Sequence, residues 1–217
     1  TASATMADVD YADQYVNHGT FFPVGWSRDG KFAYIFEYIA EGLGDIVRHH
    51  VIQDMVNDKE IFRETLNGPD YDEGSLDRAV VTTSFLEACE GTGIILDTEI
   101  ELSVFPFSSG RYAYAASLEG FRFNEFGHMY GQNLEAFRIK VLRSDGTEKT
   151  VHSFDSPRSP LYDVRLLGCF RSPYENRIAV ALMRYTYGFE AVHETSVAFI
   201  GSHLEYGFES YAPRLID

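Results

Sequence analysis

Gly25-Trp26-Ser27-Arg28-Asp29-Gly30-Lys31-Phe32-Ala33-Tyr34-Ile35-Phe36-Glu37-Tyr38 is the stretch on which the fold turns. A polar turn holding Ser and Gly leads into a base and then a β-prone apolar run. Phe105-Pro106-Phe107-Ser108-Ser109-Gly110-Arg111-Tyr112-Ala113-Tyr114-Ala115-Ala116 repeats the arrangement. A looser copy is Cys169-Phe170-Arg171-Ser172-Pro173-Tyr174-Glu175-Asn176-Arg177-Ile178-Ala179-Val180-Ala181. Gly, or Asn in the third copy, is expected to supply the positive φ of a tight turn. The run after it has the length and residue types of a buried strand.

Working outward, each strand leads through an irregular arm to further strands. In the first unit His50–Val56 and Lys59–Phe62 flank Asn57-Asp58, a hairpin turn. In the second, Ala136–Leu142 and Glu148–Phe154 flank Ser144-Asp145-Gly146. Phe137, Ile139 and Val141 alternate there with Arg138 and Lys140, as in a strand with one wet face. In the third, Thr195–Ile200 reads as a strand. One segment breaks the β pattern: Ser75 as N-cap, Asp77 in the first turn, apolar Leu76, Ala79, Val80, Val81, Phe85, Leu86 and Ala88, and Gly91 as terminator predict a helix over 75–90. The expected fold is mainly β, one domain over 1–217, with three blade-like antiparallel units near 20–66, 98–155 and 162–206 and that helix inserted.

The Ser-x-Asp-Gly turn, basic residue and apolar strand of Gly25–Tyr38 resemble the blade signature of TolB-type and WD40-like β-propellers, as in uncharacterised exported bacterial proteins with the same turn and a later helix. The resemblance implies an irregular, propeller-like binding scaffold; the Asp-Gly turn is structural in such folds, so it assigns no functional residue here. The spacing departs from the pattern. Gly30 to Gly110 is 80 residues and Gly110 to Asn176 is 66, against about 40–50 for a blade. A propeller usually has about four to eight blades, so large insertions, a different closure or a second chain completing the ring are the alternatives.

The 217 residues include 33 Asp and Glu against 18 Lys and Arg, a formal charge of −15. Such a surface repels phosphate backbones, so no nucleic-acid partner is expected. No apolar run approaches the roughly 20 residues of a membrane span. Thr1-Ala2-Ser3-Ala4-Thr5 looks like the start left by signal-peptide removal, so an exported, periplasmic or extracellular protein is expected. Cys89 and Cys169 lack CxxC spacing; they either pair across a long loop or stay reduced as small buried hydrophobes.

Catalytic signatures are missing. His193-Glu194-Thr195-Ser196-Val197 is not HExxH, and Gly25-Trp26-Ser27-Arg28-Asp29 is not the GxSxG nucleophile elbow. Gly91-Thr92-Gly93 is followed by Leu96 where a phosphate cradle needs its third Gly. His49 and His50 point to opposite faces of a strand, so they share no metal; they read as edge or surface histidines, with Asp54 the nearest companion of His50. Asp70, Asp72 and Glu73 begin like a calcium loop, but Val81 stands where the bidentate Glu belongs. No metal site and no cofactor are assigned. The Gly- and aromatic-rich stretch Gly120–Gly131 reads as a long loop, with counterparts at Glu37–Asp45 and Tyr185–Glu190. If one edge carries all three arms, Arg122, Glu125, His128, Tyr130, Tyr187 and Glu190 converge on a ligand. The expected function is therefore a noncatalytic module binding a protein or small molecule, with dimerisation through open strand edges as an option. The alternative is a hydrolase using loop carboxylates and His128.

Overall fold

The computed structural model describes residues 19–39, 46–68, 81–97, 99–124, 132–157, 159–187 and 193–210. Among them the protein is mainly β, with three open antiparallel sheets and one helix. The first sheet is a meander of β1 (Gly19–Ser27), β2 (Lys31–Ile39), β3 (Ile46–Asp54) and β4 (Lys59–Gly68). The second runs β7 (Phe107–Ser109), β8 (Tyr112–Phe123), β9 (Leu134–Arg143) and β10 (Thr147–Asp155). The third has β11 (Leu161–Arg171), β12 (Arg177–Tyr187) and β13 (His193–His203).

The three copies of the Ser-containing turn fall at the same place, joining the first and second strand of each meander. At the first, Ser27 Oγ donates to Asp29 Oδ1 at 2.6 Å and accepts from the Lys31 amide at 2.8 Å, while Gly30 takes φ +86°. Gly110 likewise takes φ +58°. The third copy differs from expectation. Asn176 keeps a negative φ, because five residues, Ser172–Asn176, make that connection and spread the reversal over a longer path, closed by Ser172 N–H donating to Arg177 O at 2.9 Å. The positive φ belongs instead to Asp58 (+52°), in the β3–β4 hairpin.

Between the first and second sheets the chain laces through all three. β5 (Ile94–Leu96) pairs with β1, β6 (Leu102–Ser103) with β11, and β7 with β8. A Cβ on Gly25 would lie 2.3 Å from Ile95 O, and one on Gly168 2.5 Å from Ser103 O, so glycine is what lets the lace approach β1 and β11. β14 (Glu209–Ser210) adds to the outer edge of β10.

The lace passes the sheets in their spatial order, first, third, second. One core joins Phe21, Trp26, Phe32 and Tyr34 of the first sheet to Phe170, Ala179, Ala181 and Phe199 of the third. Another joins Ile178, Val180, Leu182 and Ile200 of the third to Phe137, Ile139 and Val141 of the second. The sheet that closes the chain is thus the middle layer, which is why Ile178–Met183 is apolar at every position: both faces are buried. Ala179 and Ala181 leave room for the aromatic face opposite.

The helix, α1 (Thr83–Gly91), lies on the far side of the first sheet, with Phe85 and Cys89 against Ala33, Ile35 and Ile52. It begins later than 75, since Val81 and Thr82 are non-helical and Thr82 is the N-cap, its Oγ1 accepting from the Phe85 amide at 3.2 Å. β-Branched residues lose rotamer freedom in a helix interior, and Thr serves better as a cap. Residues 69–80, with Ser75, Asp77 and the calcium-like acids, lie outside the described residues. The helix also ends later: Thr92 is the C-cap, and Gly93 rather than Gly91 takes the positive φ, +75°.

Candidate functional site

Among the described residues, a set of polar contacts between sheets lies at the end of the stack where the Ser-containing turns are. Gln53 Nε2 donates to Phe199 O at 2.8 Å, the Gly201 amide to Asp58 Oδ1 at 2.6 Å, and Arg177 Nη1 to Met55 O at 3.0 Å. These tie the first sheet to the third. Tyr114 OH donates to Leu204 O at 3.0 Å, Arg171 Nη2 to Ser109 Oγ at 3.0 Å, and Lys149 Nζ to His203 O and Tyr206 O, tying the second sheet to the third. Burial and the nearby Arg177 and Arg143 guanidinium groups pull the Lys149 ammonium down to about 8.

With the turn ends pinned together, the connections between second and third strands all leave from the opposite end. Their roots are Ile39 and Ile46, Phe123 and Leu134, and Tyr187 and His193. Glu37–Ile39 belongs to β2 rather than to the first arm. There the Glu37 carboxylate and Arg48 guanidinium, 2.5 Å apart and both largely buried, neutralise each other across β2 and β3.

Of the expected site residues, Glu125, His128, Tyr130 and Glu190 lie outside the described residues. Arg122 and Tyr187 stand on different sheets. Tyr187 ends β12 opposite His193. Arg122 binds Asp155 Oδ1 at 2.7 Å and Glu135 Oε2 at 3.2 Å, and those hydrogen bonds hold its guanidinium firmly protonated. It ties the arm ends of β8, β9 and β10 together. An aromatic pair at this end also meets solvent: Phe121 and Phe123 are 46% and 44% exposed and stacked, centroids 6.3 Å apart.

Sequence patterns missed a second cluster, beneath α1. His50 is fully buried rather than at an edge, its ring stacked on Phe85 at 4.8 Å. Its Nδ1 is 3.0 Å from Glu64 Oε2, across the β3–β4 ladder. Thr82 Oγ1 and Ser84 Oγ also donate to Glu64, and these bonds, Ser84 first, then Thr82 and His50, hold its carboxyl below the usual range. Glu64 thus completes the cap of α1. The signal for it was Thr82-x-x-Phe85, masked by Ser75 as a competing cap. Serine, histidine and carboxylate are present, and Thr82 Oγ1 also lies 3.4 Å from His50 Nδ1, but both hydroxyls donate to the carboxylate, and His50 Nε2 is buried without a partner among the described residues. Nucleophilic catalysis needs the imidazole on the hydroxyl, with the carboxylate behind it. The wiring here is that of a helix anchor. Asp54 is no companion of His50, since its carboxylate accepts from the Val56 and Asn57 amides and Asn57 Nδ2.

Cys89 and Cys169 are both buried free thiols, in cores on opposite sides of the first sheet, so this fold does not pair them. Burial raises them to about 11 and about 12. Among the described residues no three His, Cys, Asp or Glu converge to hold a metal ion, and no helix is long and apolar enough to cross a membrane. No family model, curated protein or solved structure matches the chain.

Proposed function

We propose that this protein is a noncatalytic binding module, three blade-like units related to TolB-type and WD40-like propeller repeats, that meets a protein or small ligand at its arm end. The observation that carries the reading is the asymmetry of the stack. Among the described residues seven polar contacts between sheets hold the turn end, while the roots of three chain connections and an exposed aromatic pair share the other. A rigid scaffold that presents neighbouring loops from one end is a common design for recognition. The hydroxyl–carboxylate–imidazole wiring under α1 favours binding over hydrolysis.

Photo-crosslinking amino acids placed at Thr186 and Glu194, near the arm roots, and at Asp145 and Glu175, at the turn end, test this in the source cell. One defined adduct from the arm-end positions, absent from the turn-end positions, is expected. Equal adducts from both ends would overturn the reading, as would turnover of an ester or glycoside substrate that disappears in His128→Ala.

A further inference from the structure

The lace covers the inner edge of each sheet at the turn end alone. It pairs with Gly25–Ser27 of β1, Cys169–Phe170 of β11 and Tyr112–Tyr114 of β8. Towards the arms β8 continues beyond Tyr114 with no further described strand added to this edge. Unpaired backbone N–H and C=O groups are a template for another strand, and proteins blunt such edges with proline, side-chain contacts and bulges. β1 carries Pro23, which has no N–H, beside a break in register. In β11 the Asp163 carboxylate takes the N–H of Val164 at 2.9 Å, and the ladder slips twice. β8 has neither device over Ala115–Glu119. It is twelve residues long against three in β7, so most of its inner edge runs past its neighbour. Its irregularities come later, at Glu119/Arg122 and Arg122/Phe123, where Gly120 takes φ +66° and the stacked Phe121 and Phe123 stand exposed.

We propose that the inner edge of β8 from Ala115 to Glu119 is a strand-addition site for an extended, basic polypeptide whose apolar side chains rest on the neighbouring Phe121 and Phe123. The inference rests on the binding-module reading and names its partner. A row of free backbone groups is matched by another extended backbone, as in strand-addition recognition. The molecule already uses that mode on itself, taking two- and three-residue strands edge-on at the turn end. Charge selects the kind of strand. A chain of net charge −15 attracts a basic segment and repels a second copy of itself.

The test uses the full chain and a fluorescein-labelled peptide of about ten residues alternating Val or Thr with Lys, beside a Glu-for-Lys version and one N-methylated at alternate backbone positions. The lysine peptide is expected to bind saturably, the N-methylated peptide about tenfold more weakly at the same charge, and the glutamate peptide not at all. Phe121→Ser/Phe123→Ser should weaken binding about fivefold with the unfolding midpoint unchanged. Equal affinity for the N-methylated peptide would show attraction by charge alone and overturn the proposal. So would absence of saturation, or a concentration-dependent dimer abolished by the double substitution, which would make a second copy the occupant. Arm-end crosslinks without peptide binding would remove strand addition and leave the binding-module reading standing; peptide binding without arm-end crosslinks would keep strand addition and remove the arm end as the place where the partner is met.

Discussion

The two outward faces of the stack end the core in opposite ways. The first sheet turns an apolar face outward, Phe22, Val24, Ala33, Ile35, Ile52 and Phe62, and covers it with α1. The second turns out charge: Lys140 lies between Glu119 (2.9 Å) and Glu148 (2.7 Å), Arg138 is exposed, and Arg122 bridges Glu135 and Asp155. One face is closed by burial and the other needs no cover. The comparison teaches that the three sheets end their own stack, so the second chain that a partial ring would call for is not required to hide an apolar sheet face.

The covered face should be the fragile one. Phe85→Ala removes the ring that fills the space under α1 and stacks on His50, and should cost about 3–5 kcal/mol in urea unfolding. It should also strip hydrogen-exchange protection from Thr83–Gly91. A cost below about 1 kcal/mol would mean that the helix is decoration and that the apolar face is closed by something else. Overfilling the middle layer comes next. Ala181→Leu pushes a larger side chain into the aromatic cluster and should cost about 1–3 kcal/mol, whereas the same change at exposed Ala113 on β8 should cost little.

The anchor of α1 gives a smaller, pH-dependent effect. The Glu64 carboxyl titrates below its unfolded value of 4.5, so its contribution is fully present above that value and is lost as the pH falls through its folded value. Glu64→Gln should cost about 1 kcal/mol at pH 7 and flatten the acid limb of the stability curve below pH 4.5. An unchanged acid limb would show that Thr82 alone caps the helix. The smallest effect belongs to the wet face. Lys140→Met should change stability by less than about 1 kcal/mol, with the difference shrinking in high salt. A larger loss would show that the charged face is held together by its ion pairs rather than merely solvated by them.

Particular residues show how much was legible in the sequence. The alternation of Phe137, Ile139 and Val141 with Arg138 and Lys140 announced a sheet with one wet side, and β9 has one. The unbroken runs Phe32–Phe36 and Ile178–Met183 announced buried strands, and the structure buries both faces of each between two layers. The hairpin at Asn57-Asp58 was readable because few residues other than Gly, Asn and Asp tolerate positive φ. The start of α1 was not, because Ser75 and Thr82 are both competent caps and the choice fell to Glu64, eighteen residues away from Thr82. His50 was misplaced for the same reason: its neighbours come from β4 and α1. The stretch Gly120–Gly131 read as a loop because of its glycines, yet Gly120–Phe123 belong to β8, where pairing with β9 extends the strand past Gly120.

What the sequence determined by itself is local: the positions of the turns, the strands between them and, through alternation or its absence, how many faces each strand buries. Tertiary structure alone decided that the last sheet lies in the middle, that the strands between Ile94 and Ser109 lace all three sheets, and that the roots of the arms share one end. Those outcomes rest on contacts between segments far apart in the chain. An apolar run records that it must be covered on two sides, while the identity of the cover depends on which surfaces match in shape once the sheets exist.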